Sequence, residues 1–281
     1  MRKLIQNQQF DEERALYHLQ HADVADCVFA GPADGESVLK EARDVNVKNC
    51  RFSLRYPLWH VQDFRLEHSS MDDKTRAAIW YACNGEITDS VLGGIKAVRQ
   101  CHHISLTGCE IVSQEFGWKS GNITLKDSSI TAEYLFLDSR DVRLDHVQMK
   151  GKYSFQYMQN LEIRDSYLDT KDAFWHSQNV TVVDSTIKGE YLAWFSENLT
   201  LINCHISGTQ PLCYCKGLKL VNCTMEATDL SFEYSEVDAD IRGHVDSVKN
   251  PKSGRIVADS VGEVIMTDDV VMECTGKVQI R

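Results

Sequence analysis

The sequence has no apolar run long enough to cross a bilayer, so a spanning helix is not expected. Its first ten residues, Met1 to Phe10, carry two basic side chains and then Gln and Asn, with no apolar stretch of the signal-peptide kind. The expected setting is therefore cytoplasmic and reducing, and the ten cysteines are expected to form no disulfides. Cations are in deficit, with 30 Lys and Arg against 41 Asp and Glu and a net charge of −11. Phosphate contacts need clustered Lys and Arg, so nucleic acid and anionic membranes are not expected partners. Zinc-ligand spacing is also missing: Cys213 and Cys215 have nothing to complete a set, and His102-His103 has no third ligand. No metal and no cofactor is expected. Finally, no segment has room for an amphipathic helix.

What the sequence does have is a repeat. Leu125, Leu144, Ile163, Val182, Leu201 and Leu220 follow one another at intervals of 19 residues. With this position numbered zero, position −2 is apolar from Ile123 to Leu218, and position +5 runs Ile130, Met149, Leu168, Ile187, Ile206, Met225. Apolar residues two apart have the spacing of strands. Asn, Asp or Gly recurs at −3 (Asn122, Asp141, Asn160, Asn179, Asn198, Gly217), and Asp, Asn or His at +2 (Asp127, His146, Asp165, Asp184, Asn203, Asn222). These residues tolerate the left-handed backbone of a sharp corner. Position +3 alternates Ser with Cys, as at Cys27, Cys50, Cys109, Cys204 and Cys223, and reads as a small buried column. A fixed period with this pattern predicts an all-β chain coiled as a parallel β-helix.

In chain order, residues 1–20 lack the repeat and are expected to form an irregular or short helical cap. Turns of the coil are expected over 21–262, about a dozen in all, with a closing segment over 263–281, the whole being one domain, 1–281. Val24 to Val47 carries an insertion near Gly31-Pro32-Ala33-Asp34-Gly35, and Leu66 to Ile87 a small bulge near Asp72-Asp73-Lys74. After Leu220 the pattern weakens, with Ala239 and Ala258 keeping the interval.

A third strand is expected at about +8 to +13. Position +12 is rich in tryptophan (Trp59, Trp80, Trp118, Trp175, Trp194) and position +10 is smaller, so both are expected to face inward. Positions +9, +11 and +13 then face outward. They include Tyr134, Tyr153, Asp172 and Tyr191 at +9, Phe136, Phe155 and Phe174 at +11, and His60, Tyr157, His176, Phe195 and Tyr214 at +13. Rows of aromatic residues on a solvated face point to contact with something. A saccharide groove, a protein-contact or dimer face, and a surface covered by the chain's own loops all account for it.

Within this face, Asp172 and His176 lie four residues apart, too far for a direct pair in extended chain. Burial of Asp172 under Tyr153 and Tyr191 would raise its pKa, as a general acid requires. A surface aspartate and a stacked histidine are the plainer reading. Lys152 and Lys171, with Glu133 and Glu190, read as a cross-strand charge row.

The coil resembles the right-handed parallel β-helix of the pectin-lyase-like superfamily. Tyr56-Pro57-Leu58-Trp59-His60, Gly151-Lys152-Tyr153-Ser154-Phe155, Asp169-Thr170-Lys171-Asp172-Ala173-Phe174-Trp175-His176 and Gly208-Thr209-Gln210-Pro211-Leu212-Cys213-Tyr214 resemble an uncharacterised, mainly bacterial family known only as a domain of unknown function. The resemblance implies the fold and its hand, and no activity. The polygalacturonase site does not carry over. Gly243-His244 and Arg255-Ile256-Val257 echo it, but Asp268-Asp269 falls after them and the lysine is missing. A pectate-lyase calcium cluster has no compact equivalent.

The sequence thus leads to a carbohydrate-like ligand on the third side. Tyr134, Tyr153, Phe155, Tyr157, Tyr191, Tyr214 and His60 would contact it. For hydrolase, lyase or epimerase chemistry, Asp172 would be the acid/base with His176 and Lys152 as polar partners. The alternative is a non-enzymatic scaffold that uses the same face for a protein partner or for a second copy of itself.

Overall fold

The computed structural model describes residues 1–281 and contains strands and turns but no helix. It divides into two compact units, Met1–Arg143 and Leu144–Arg281. In the first, Ile5, Val24, Val47, Leu66, Ile87, Leu106 and Leu125 pair in parallel register, each with the next, and mark seven turns of a coil. In the second, Ile163, Val182, Leu201, Leu220, Ala239, Ile256 and Val278 pair in the same way, and Leu144 begins the unit. These mark eight turns, so the two units hold more than the dozen expected. The architecture is a right-handed parallel β-solenoid, the coil that the period predicts with the hand that the resemblance implies.

Two expectations about the ends are corrected. Residues 1–20 form no helical cap, because Lys3–Gln6 and Gln9–Phe10 are already strands paired with Gln20–Ala25 and Val28–Phe29. Ile5 and Phe10 thus occupy the zero and +5 positions of a full turn, with Phe10 stacked on Phe29 at 5.5 Å. Near the other end, Ala239 pairs with Ile256, not Ala258, because that turn is two residues shorter than the period. The bulge near Asp72 is present as expected, since Leu66 pairs with Ile87 across it.

The corners behave as the residue types require. Asn122, Asn160, Asn179 and Asn198 at −3 have φ of 55–58°, and Asp127, Asp165, Asp184, Asn203 and Asn222 at +2 have φ of 47–52°. Ordinary L-residues are sterically disfavoured there. The corner amides also bond from turn to turn: Asn198 Nδ2 donates to Asn179 Oδ1, and Asn179 Nδ2 to Asn160 Oδ1, both at 3.1 Å.

The Ser/Cys column at +3 satisfies backbone groups that the corner strands. Each Ser oxygen accepts from a main-chain N–H one turn away, as Ser166 Oγ does from Val147 at 3.0 Å and Ser185 Oγ from Ser166 at 3.1 Å. Its hydroxyl then donates to the carbonyl two residues back. Cysteine takes the donor half of this role, Cys50 Sγ donating to Lys48 O and Cys204 Sγ to Ile202 O. All ten thiols are free. Burial pushes the Cys50 thiol up to about 12, which leaves it protonated and unreactive.

Replacing Ser166 by Ala leaves the buried Val147 N–H without an acceptor and should cost about 1–3 kcal/mol in urea unfolding. Asn198→Ala should cost about 1–2 kcal/mol through its left-handed φ, and Asn198→Gly should recover most of that loss. Equal stability of the Ala and Gly variants at 198 would contradict the corner argument.

Candidate functional site

The third side of the coil is only briefly a strand. In the first unit it holds two-residue strands such as Leu58–Trp59, Ile79–Trp80 and Val98–Arg99. In the second, the turns that follow Ile163, Val182 and Leu201 have positive φ at +9, +11 and +13: Asp172, Phe174 and His176 at 51°, 62° and 55°, then Tyr191, Ala193 and Phe195 at 55°, 64° and 61°, then Gln210, Leu212 and Tyr214 at 48°, 62° and 60°. A left-handed residue at every second position breaks the in–out alternation of an extended chain.

The expected inward and outward sets change accordingly. Position +10 is buried as expected, but +11 is buried too. Phe136, Phe155 and Phe174 are core residues, and Phe155, 0% exposed, stacks on Phe174 at 5.2 Å. Phe155 therefore does not reach the surface on which a ligand was expected to meet it. The tryptophans at +12 face outward instead and lie half-buried. Their indole N–H groups are used internally, Trp175 Nε1 donating to Tyr191 O at 2.7 Å and Trp194 Nε1 to Gln210 O at 2.9 Å.

The outward face of the second unit is thus made of +9, +12 and +13. At +13, Tyr157, His176, Phe195, Tyr214 and Tyr234 form one ladder, with centroid steps of 5.1, 5.0, 4.8 and 5.5 Å. Tyr157 is 53% exposed and Phe195 42%. Tyr234 was hidden from the column reading because the interval after Tyr214 lengthens by one residue. Trp175 and Trp194 run beside the ladder, stacked at 5.4 Å and 3°.

At +9, Asp172 is only 9% exposed. Its amide donates to Glu190 O at 3.0 Å, and its carbonyl accepts from Gln156 Nε2 at 3.0 Å. Burial raises its carboxyl pKa, against the opposing pull of the Lys171 and Lys152 charges. Lys171 pairs with Glu190 at 2.8 Å, the cross-strand pair expected of that row, and lies 5.3 Å from the Tyr191 ring centroid. Lys152 lies 4.7 Å from the Tyr153 centroid. The His176 ring is held between Tyr157 and Phe195, in the ladder rather than against Asp172.

Seven of the residues singled out, Lys152, Tyr153, Tyr157, Asp172, His176, Tyr191 and Tyr214, therefore lie on this side of the second unit. Tyr134 and His60 belong to the first. Tyr134 meets Trp118 edge-on at 5.9 Å, and His60 stacks on Tyr81 at 4.9 Å. The Asp72 bulge is accounted for by structure: Asp72 accepts from Ser53 Oγ at 2.6 Å and from the Lys74 amide at 3.0 Å, closing its own turn. Cys213 and Cys215 are buried and donate to backbone carbonyls. The one group of side chains with donor atoms close enough to share a cation is Asp145, His146 and Asp165, within 4.8 Å of one another at a solvated corner.

Among solved structures, the A-module of the Azotobacter vinelandii mannuronan C-5 epimerase AlgE6 is 9% identical, with a TM-score of 0.35 over 92% of this chain and 79% of that one. The AlgE4 A-module from the same organism is also 9% identical, with a TM-score of 0.31 over 98% and 89%. QnrB1, a plasmid-mediated fluoroquinolone resistance protein, is 10% identical with a TM-score of 0.16 over 85% and 92%. Likeness at this level says nothing about the chemistry of this chain. No curated protein matches it in sequence. A family model does match, over residues 3–280, nearly end to end. The chain belongs to the family described as protein of unknown function (DUF3737).

Proposed function

We propose that the third side of the second unit binds an extended carbohydrate chain. The observation that carries this reading is the periodicity of the face. Successive turns repeat a ring at +13 about every 5 Å, with an indole at +12 on the Trp175 and Trp194 turns and a polar or hydroxylated group at +9. A linear glycan repeats on a similar scale and offers alternating C–H and hydroxyl surfaces. A ladder of this kind meets it in register, one unit after another. Asp172, His176, Lys152 and Lys171 supply the hydrogen bonds that fix direction.

The ring faces in the ladder cover one another, so the ligand meets exposed ring edges and the hydroxyls of Tyr157 and Tyr214, with Tyr153 and Tyr191 flanking. In the catalytic version, Asp172 is the acid/base. Its raised pKa keeps a larger share of the carboxyl protonated and able to give a proton to a leaving oxygen in hydrolase or lyase chemistry, or to a carbanion in an epimerase. A second reading is favoured by the same covered faces. A flat apolar strip of ring edges also suits a protein partner or a second copy of this chain acting as a scaffold.

Calorimetry against a panel of linear glycans separates the two. Tyr157→Ala should weaken glycan binding at least tenfold with little change in melting temperature. If no glycan binds, and Tyr157→Asp instead changes the mass seen by light scattering, the scaffold reading takes over.

Asp172 allows a second test. A carboxylate whose folded pKa is raised destabilises the fold above that pKa, and the cost is relieved as pH falls through it. Asp172→Asn should therefore raise the melting temperature at neutral pH, and the gain should shrink toward acid. Turnover of any bound glycan should be lost. A variant less stable than the parent at neutral pH would contradict the burial argument.

A further inference from the structure

The first unit carries a second, unrelated concavity. Three successive turns present His18-Leu19-Gln20, Glu41-Ala42-Arg43 and His60-Val61-Gln62 in register, since Arg43 pairs with both Gln20 and Gln62. The backbone bonds from His18 N to Lys40 O and from Glu41 N to Trp59 O continue that alignment. His18, Glu41 and His60 share a left-handed φ of 54–60° and so project in one column. Leu19, Ala42 and Val61 are buried between the columns. Over this stretch opens a cleft of about 410 Å³ lined by His18, Gln20, Glu41, Ala42, Arg43, His60 and Gln62.

The charges at this cleft are arranged unusually. Glu41 and Arg43 stand on opposite lips and do not pair with each other. The neighbouring charges that would neutralise them are engaged elsewhere. Lys40 sits 4.2 Å from the Trp59 ring centroid. Asp44 is held by Arg2 at 2.7 Å and by His21. Glu41 takes one neutral bond, Oε2 accepting from Tyr17 O–H at 2.7 Å, which orients the carboxylate and leaves Oε1 open. His18 bonds Gln20 at 2.8 Å from lip to lip across one end of the cleft, and His60 is fixed by its stacking on Tyr81.

We infer that this cleft binds a small zwitterion, of the class of a free α-amino acid. Its ammonium meets the open oxygen of Glu41, and its carboxylate meets the Arg43 guanidinium, which can present two parallel N–H donors. Gln20 and Gln62 flank the carboxylate end, and the two histidine rings flank the ammonium end. A simple anion would meet Glu41 unfavourably, and a simple cation would meet Arg43 in the same way. A molecule with both charges satisfies both lips.

The test is calorimetric titration of the full chain with the twenty L-amino acids one at a time, with the N-acetyl acid and the amino-acid amide of whichever binds best, and with glucose. The expected result is binding of one or a few amino acids, weakened at least tenfold on blocking either charged end. Glu41→Gln and Arg43→Gln should each cause a loss of similar size without shifting the melting temperature, since both side chains are exposed. Three results would overturn the inference: no amino acid binds at millimolar concentration, glucose or a blocked analogue binds as well as the free acid, or binding survives both substitutions.

Discussion

The structure depends on a backbone constraint that recurs from turn to turn: a residue held at positive φ on each side of the zero strand. Asn179 and Asp184 do this around Val182, and Asn198 and Asn203 around Leu201. With both corners fixed, the strand between them must return to the same place in the next turn, and like residues fall into columns. Hydrophobic burial stabilises the result by about 1.5–3 kcal/mol for each fully buried Leu, Ile or Val. Burial alone would not set the period. The corner residues set it, and the asparagine ladders then favour their own alignment from one turn to the next.

The same device, used three times in a row, creates the surface proposed to bind ligand. Left-handed residues at +9, +11 and +13 turn two consecutive positions, +10 and +11, into the core and leave +12 and +13 outside. The phenylalanines become packing, while the tryptophans and the Tyr157–His176–Phe195–Tyr214–Tyr234 ladder become surface. Asp172 is drawn inward in this geometry, and burial raises its carboxyl pKa.

Much of this was legible in the residues. Asn, Asp and Gly at −3 and +2 announced the corners, and apolar pairs at −2 and 0 and at +5 announced the core. The Ser/Cys column announced a small buried position, though not that its oxygens accept from the neighbouring turn. The third side was misread because alternation is a property of extended chain, and nothing in Phe155 or Trp175 says that the backbone there is left-handed. Tyr234 was hidden by one extra residue, and Ile256 by a turn two residues short. Of the residues lining the Glu41–Arg43 cleft, only His60 was singled out, and for a different face. The cleft needs the first turns aligned, and there the insertion before Val47 and the strand-forming residues 3–10 obscured the repeat.

The most direct test of the account is the spacing between turns of the second unit. Nitroxide labels on introduced cysteines report it by electron spin resonance, on a background in which the two half-buried thiols, Cys83 and Cys274, are replaced by Ser. Gln159, Gln178 and Lys216 are exposed and lie outside the left-handed corners, so labelling them leaves the constraint itself untouched. Gln159 pairs directly with Gln178, whereas Lys216 is reached from Gln178 only through Glu197. Labels at 159 and 178 should show the strong dipolar broadening of neighbours one strand spacing apart, about 4.8 Å between backbones, and labels at 159 and 216 should lie about three such steps apart. Weak coupling between 159 and 178, or a 159–216 separation no larger than that pair's, would contradict a coil that closes every 19 residues.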